Sequence, residues 1–115
     1  MKRRTLVKAG LLLPFGARVV AAAPPAEAVT PALIEAAKKE GALTFYTAMD
    51  LAFAERLGRV FEEKFAGIKV RVERSGAERV FQRIGQEYQS NIHTVDVVNS
   101  SDASHFIVWK RDGLM

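Results

Sequence analysis

The chain has 115 residues, 49% of them hydrophobic and 26% charged, which suits one globular domain. Its formal charge of +4 would suit a nucleic-acid partner, but five of the 17 basic residues fall before Ala23, where there is no acid, so from there on twelve face 13 acids. There is no cysteine, which excludes disulfides, thiolate metal sites, a cysteine nucleophile and a cysteine-linked lipid anchor.

The N-terminus reads as an export signal. "MKRRTLVK" is a positive start, and "AGLLLPFGARVVAAA" is an apolar stretch broken by Pro14 and Arg18, too short to span a bilayer. Val20-Ala21-Ala22 suits cleavage before Ala23, and Ala26-Glu27-Ala28 suits cleavage before Val29. Arg3, Arg4, Leu6, Val7 and Lys8 resemble a twin-arginine signal, although Leu6 stands where Phe is commonest, so the general secretory route stays open. The expected division is 1–28 as signal and linker and 29–115 as the folded part, exported as a protein without a lipid anchor to the periplasm.

A Pro- and Ala-rich linker leads to a helix capped by Thr30, opened by Pro31 and stopped by Gly41. "ALTFYT", residues 42–47, is β-prone. In the next segment Phe53, Leu57, Val60, Phe61 and Phe65 share one helical face, and Gly67 ends it. "IKVRVER" alternates apolar and charged residues, the pattern of a strand with one wet face near a sheet edge. "SGAERVFQRIGQEYQS" is helical, with Ala77, Phe81, Ile84 and Tyr88 on one side. "VDVV", residues 95–98, is a third strand, and "ASHFIVWKRDG" opens a last helix. Strands alternating with helices imply an α/β fold with parallel strands. Three strands and about 90 residues are few for such a sheet, so an N-terminal part of a longer protein is expected.

In open α/β sheets ligands sit beyond the carboxyl ends of the strands. That rule selects "TAMD" after the first strand, "RSGA" after the second and "NSSD" after the third. They carry Thr47, Ser75, Ser100 and Ser101, short hydroxyls that can hold a polar solute beside helix N-termini. A plainer reading competes at each loop. Asp50 and Asp102 are good N-caps, and Ser75 with Glu78 has capping-box spacing. Arg74 is the charged rim residue able to meet a carboxylate or phosphate, or else an exposed strand-end arginine. His93 is expected in solvent and His105 at the surface or half-packed, and Trp109 is read as a packing residue. Dinucleotide, P-loop and nucleophile-elbow motifs are all missing.

"EGALTFYTAMD", "FEEKFAGIKVRVERSGAERVFQRI" and "VDVVNSSDASHF", in that order and spacing, resemble the N-terminal lobe of bacterial extracellular solute-binding proteins of ABC importers, in the branch that includes the ferric-iron binders. The resemblance covers about residues 33–115. It implies an incomplete first lobe of a periplasmic-binding-protein-like fold of type II, with parallel strands and flanking helices. It further implies a monomer that closes on a solute and delivers it to an inner-membrane ABC permease, with no cofactor and no reaction. Carried over by position, the ligand-binding residues are Tyr46, Thr47, Asp50, Ser75, Gly76, Asn99, Ser100, Ser101 and Asp102. Asp50 and Ser101 fall where ferric-iron binders of this branch carry His and Glu, so the metal stays open. Ferric iron, or a small organic or phosphorylated anion, is the expected solute. An exported α/β enzyme with its catalytic residues after residue 115, and a truncated chain without function, are the alternatives.

Overall fold

The computed structural model describes residues 26–115, so all but the last three residues of the expected signal and linker, 1–28, lie outside the described residues. The elements run α1 (Pro31–Glu40), β1 (Ala42–Thr47), α2 (Leu51–Lys64), β2 (Lys69–Arg74), α3 (Ala77–Gln89), β3 (Val97–Asn99) and α4 (Ala103–Arg111). The strands form a three-stranded parallel sheet in the order β2-β1-β3, flanked by helices, which is the α/β arrangement expected from the sequence. Among the described residues no helix is long and apolar enough to cross a membrane.

Local chemistry sets the helix boundaries. Thr30 Oγ1 accepts from the Leu33 amide at the start of α1, with Pro31 in its first turn. Gly41 ends the helix at φ 78°, a left-handed conformation that glycine adopts without strain, and its N–H reaches Ala37 O. Asp50 caps α2 through the Phe53 amide.

The central strand β1 is buried along most of its length, and its alternation divides the interior in two. On one face Tyr46 packs with Val80 and Ile84 of α3 and Trp109 of α4. Each of these is at most 2% exposed, worth roughly 1.5–3 kcal/mol per large side chain removed from water. On the other face α2 lies against β2.

The way α2 packs differs from the sequence expectation. Its buried residues are Ala54 and Gly58, whereas Phe53, Leu57 and Val60 are exposed. A Cβ at Gly58 would sit 3.3 Å from Val70 Cβ, so two small residues one turn apart let the helix approach β2 closely. Leu57 and Phe61 border an apolar depression beside that contact, with Leu43, Phe45 and Val97.

The third strand is also shorter than expected and shifted. Asp96 joins the sheet partly by its side chain, Oδ2 accepting the Thr44 amide at 2.7 Å while its own amide donates to Thr44 O at 3.1 Å. Regular pairing therefore begins only at Val97.

Candidate functional site

Register builds the site. Thr47 pairs with Arg74 on one side and Asn99 on the other, so all three strands end level. The loops that follow leave from one line at the carboxyl edge of the sheet, with the "TAMD" loop between the other two. They are laced together. The Ser75 amide donates to Thr47 O at 3.0 Å, and the Ala48 amide to Asn99 O at 3.2 Å. Arg74 Nε reaches Met49 O at 3.4 Å.

Thr47 is the pin of this edge. It is fully buried, its hydroxyl donates to Asn99 Oδ1 at 3.1 Å, and the same oxygen accepts the Met49 amide at 3.1 Å. The sequence left this hydroxyl open for a ligand. In the folded chain its donor and one of its acceptor sites hold two loops in register.

The two aspartates act as caps, as their spacing allows. Asp50 Oδ1 accepts the Phe53 amide, and Asp102 Oδ1 accepts both the amide and the hydroxyl of Ser104, at 2.8 and 2.7 Å. Those bonds from Ser104, its hydroxyl first, hold the Asp102 carboxyl below the usual carboxylate range.

The capping box does not form. The N-cap of α3 is Gly76, without a side-chain cap bond, and Glu78 instead accepts from Gln82 at 2.9 Å. The Ser75 hydroxyl has no partner among the described residues, since only its amide is used. Gly76 has φ −64° and open space where a Cβ would stand, so neither backbone nor packing demands glycine there. Ser101 is exposed at the tip of the third loop.

Tyr46 stands below the rim, 1% exposed, on the α3 face. Its hydroxyl donates to Glu87 Oε1 at 2.8 Å, and Arg83 lies 4.2 Å over its ring. Burial first, then the bond to Glu87, pushes the phenol up to about 12, so it stays a donor. Arg83 is clamped by Glu87 at 2.8 Å and by Glu73.

Two features were not legible from sequence motifs. His105, expected at the surface or half-packed, is 5% exposed, stacked on Phe81 with ring centroids 4.5 Å apart. Its Nδ1 lies 2.9 Å from Ser100 Oγ, which also accepts the Asp102 amide at 3.2 Å. Its Nε2 lies 3.4 Å from Glu78 Oε2 and 3.8 Å from Asp102 Oδ2. His105 thus ties the third rim loop to α3. The second feature is a cavity of about 350 Å³ between the end of β2 and α3, lined by Tyr46, Glu73, Ser75, Val80 and three arginines, Arg74, Arg79 and Arg83. The i,i+4 spacing of Ser75, Arg79 and Arg83 was the available signal for it. Among the described residues no group of three or more His, Asp or Glu could hold a metal ion.

No protein-family model matches the chain, and no curated protein matches it significantly. Among solved structures, it is similar to iron-bound HitA from Pseudomonas aeruginosa, at 22% identity and a TM-score of 0.55, over 63% of this chain and 22% of that one. The matched region therefore spans about a fifth of HitA. At that identity the likeness establishes fold alone: a parallel sheet with flanking helices, as in part of HitA.

Proposed function

We propose that this chain is the first-lobe portion of an exported solute-binding protein, whose carboxyl-edge loops form one wall of a cleft for a small solute. The observation that carries the reading is the level rim: three loops in register beyond the carboxyl ends of a parallel sheet, with Ser75 and Ser101 presenting hydroxyls not engaged elsewhere in the described residues. Fold likeness to a protein crystallised with iron bound supports capture rather than chemistry.

In this reading Ser75, Gly76, Asn99, Ser100 and Ser101 face the solute. Thr47, Asp50 and Asp102 shape their loops, and Tyr46 supports the rim from below. Binding closes a second lobe over the solute, and the loaded protein docks on an inner-membrane ABC permease. The solute is ferric iron or a small organic or phosphorylated anion. For iron, the rim loops offer the carboxylates of Asp50 and Asp102, both used as caps.

The enzyme alternative places its catalytic residues after residue 115; the described residues offer it one arrangement, Ser100 Oγ on His105 Nδ1 with Glu78 and Asp102 near the other ring nitrogen. It lacks an accessible base, because His105 is buried, and nearby amides are taken, Ser104 by Asp102 and Asp102 by Ser100.

The test is thermal denaturation with ferric iron, phosphonates, sugar phosphates and carboxylates, with each compound assayed afterwards for conversion. A rise in melting temperature with the compound recovered intact supports the reading. Conversion of a compound would overturn it in favour of the enzyme.

A further inference from the structure

The cavity between β2 and α3 carries four charged side chains and extends from the rim at Arg74 and Ser75 down to Arg83. Its walls are of two kinds. Tyr46 and Val80 supply carbon surface, and Arg74, Arg79, Arg83 and Glu73 supply charge.

The three arginines are not equivalent. Arg83 is neutralised twice over, by Glu73 and by Glu87, and is held over the Tyr46 ring. Arg74 has one bond through Nε, 3.4 Å from Met49 O, which leaves its terminal nitrogens unused. Arg79 has neither hydrogen bond nor ion pair among the described residues. Glu73 is already engaged by Arg83, and Glu78, which lines the adjoining concavity with Arg74 and Arg79, pairs with neither, so among the described residues two guanidinium groups lining the cavity, one from β2 and one from α3, form no ion pair. Like charges placed together repel, and an oxyanion between them removes the repulsion. Guanidinium forks match the paired oxygens of phosphate or phosphonate, and the Ser75 hydroxyl adds a further donor at the cavity edge. The volume of about 350 Å³ lies within the range of small-ligand sites.

We infer that this cavity is an oxyanion subsite, in which Arg74 and Arg79 grip a phosphate or phosphonate group while Tyr46 and Val80 contact its carbon substituent. This rests on the solute-binding reading, for it makes the solute an organic phosphate or phosphonate whose head group enters beside Ser75. Arg83 acts as a positioning residue, fixing the floor through Tyr46 and Glu87.

The experiment follows backbone amide and arginine Nε–H resonances of the isotopically labelled chain during titration with inorganic phosphate and with methylphosphonate. Chloride at matched ionic strength is the control. Saturable shifts at Arg74, Arg79 and Ser75 are expected, with methylphosphonate also moving Val80. Arg79→Gln is expected to weaken phosphate binding about tenfold, the scale of one lost charge-assisted bond, while Arg59→Gln on α2 leaves it unchanged. Arg79 is exposed, so its variant is expected to fold, and the amide spectrum verifies this. Equal shifts with chloride, or unchanged binding in Arg79→Gln, would overturn the inference. Shifts confined to Asn99–Ser101 would also overturn it while leaving the solute-binding reading intact. No response to either anion removes the subsite; rim binding of other solutes is read from the thermal screen.

Discussion

Replacing Thr47 by Val keeps shape and volume and removes only the hydroxyl. In the native rim that hydroxyl satisfies Asn99 Oδ1 and the Met49 amide, each at 3.1 Å, from a fully buried position. Losing it strands one acceptor and one donor, each costing about 1–3 kcal/mol when buried. Asn99 and Met49 are half-buried and recover part of this from water, which leaves about 2 kcal/mol for the pair. For a domain of this size that lowers the melting temperature by about 8–16 °C. Thr47→Ser keeps the hydroxyl and removes one buried methyl, about 1 kcal/mol. The assay is urea denaturation of both variants with amide exchange at Met49. Val is expected to be the more destabilising and to expose the Met49 amide to fast exchange, while Ser preserves its protection. A Val variant as stable as wild type, with Met49 still protected, would refute the pinning of the rim by this hydroxyl.

Other outcomes follow from the same geometry. Tyr46 titrates at about 12 in the folded chain against about 10 unfolded, so it stabilises the fold below pH 10 and that contribution fades as pH rises from 10 to 12. Absorbance titration of the phenolate, compared with Tyr46→Phe, checks this, and loss of on the order of 2 kcal/mol over that window is expected. Gly58→Leu forces α2 away from Val70, with a loss of about 1–3 kcal/mol in denaturant melts. Asp102→Ala removes the α4 cap and frees Ser104, so faster amide exchange in the first turn of α4 is expected, with α3 unaffected.

The sequence carried the elements well, for identifiable reasons. The alternation of "IKVRVER" showed an edge strand, and Thr30 before Pro31 and Asp50 at the head of the second helix showed two caps. The level rim also followed, because parallel strands joined by helices bring their carboxyl ends together. Side-chain partners were harder, since they depend on segments distant in the chain. Thr44 meets Asp96 and Thr47 meets Asn99, each across 52 residues, and no local pattern announces either bond. On α2 the large apolar residues dominated the pattern, but contact went to Ala54 and Gly58, because close approach to a strand selects small side chains. His105 resembled a surface histidine until Phe81 of α3 covered it.

The central claim is that the carboxyl-edge rim is a wall of a solute site. Amide-shift mapping of the labelled chain, titrated with whichever compound raises its melting temperature most, tests this directly. The account predicts saturable shifts at Ser75, Gly76 and Asn99–Asp102, with the compound recovered unchanged. Shifts confined to the opposite apolar face, around Leu57, Phe61 and Val97, or chemical conversion of the compound, would contradict it.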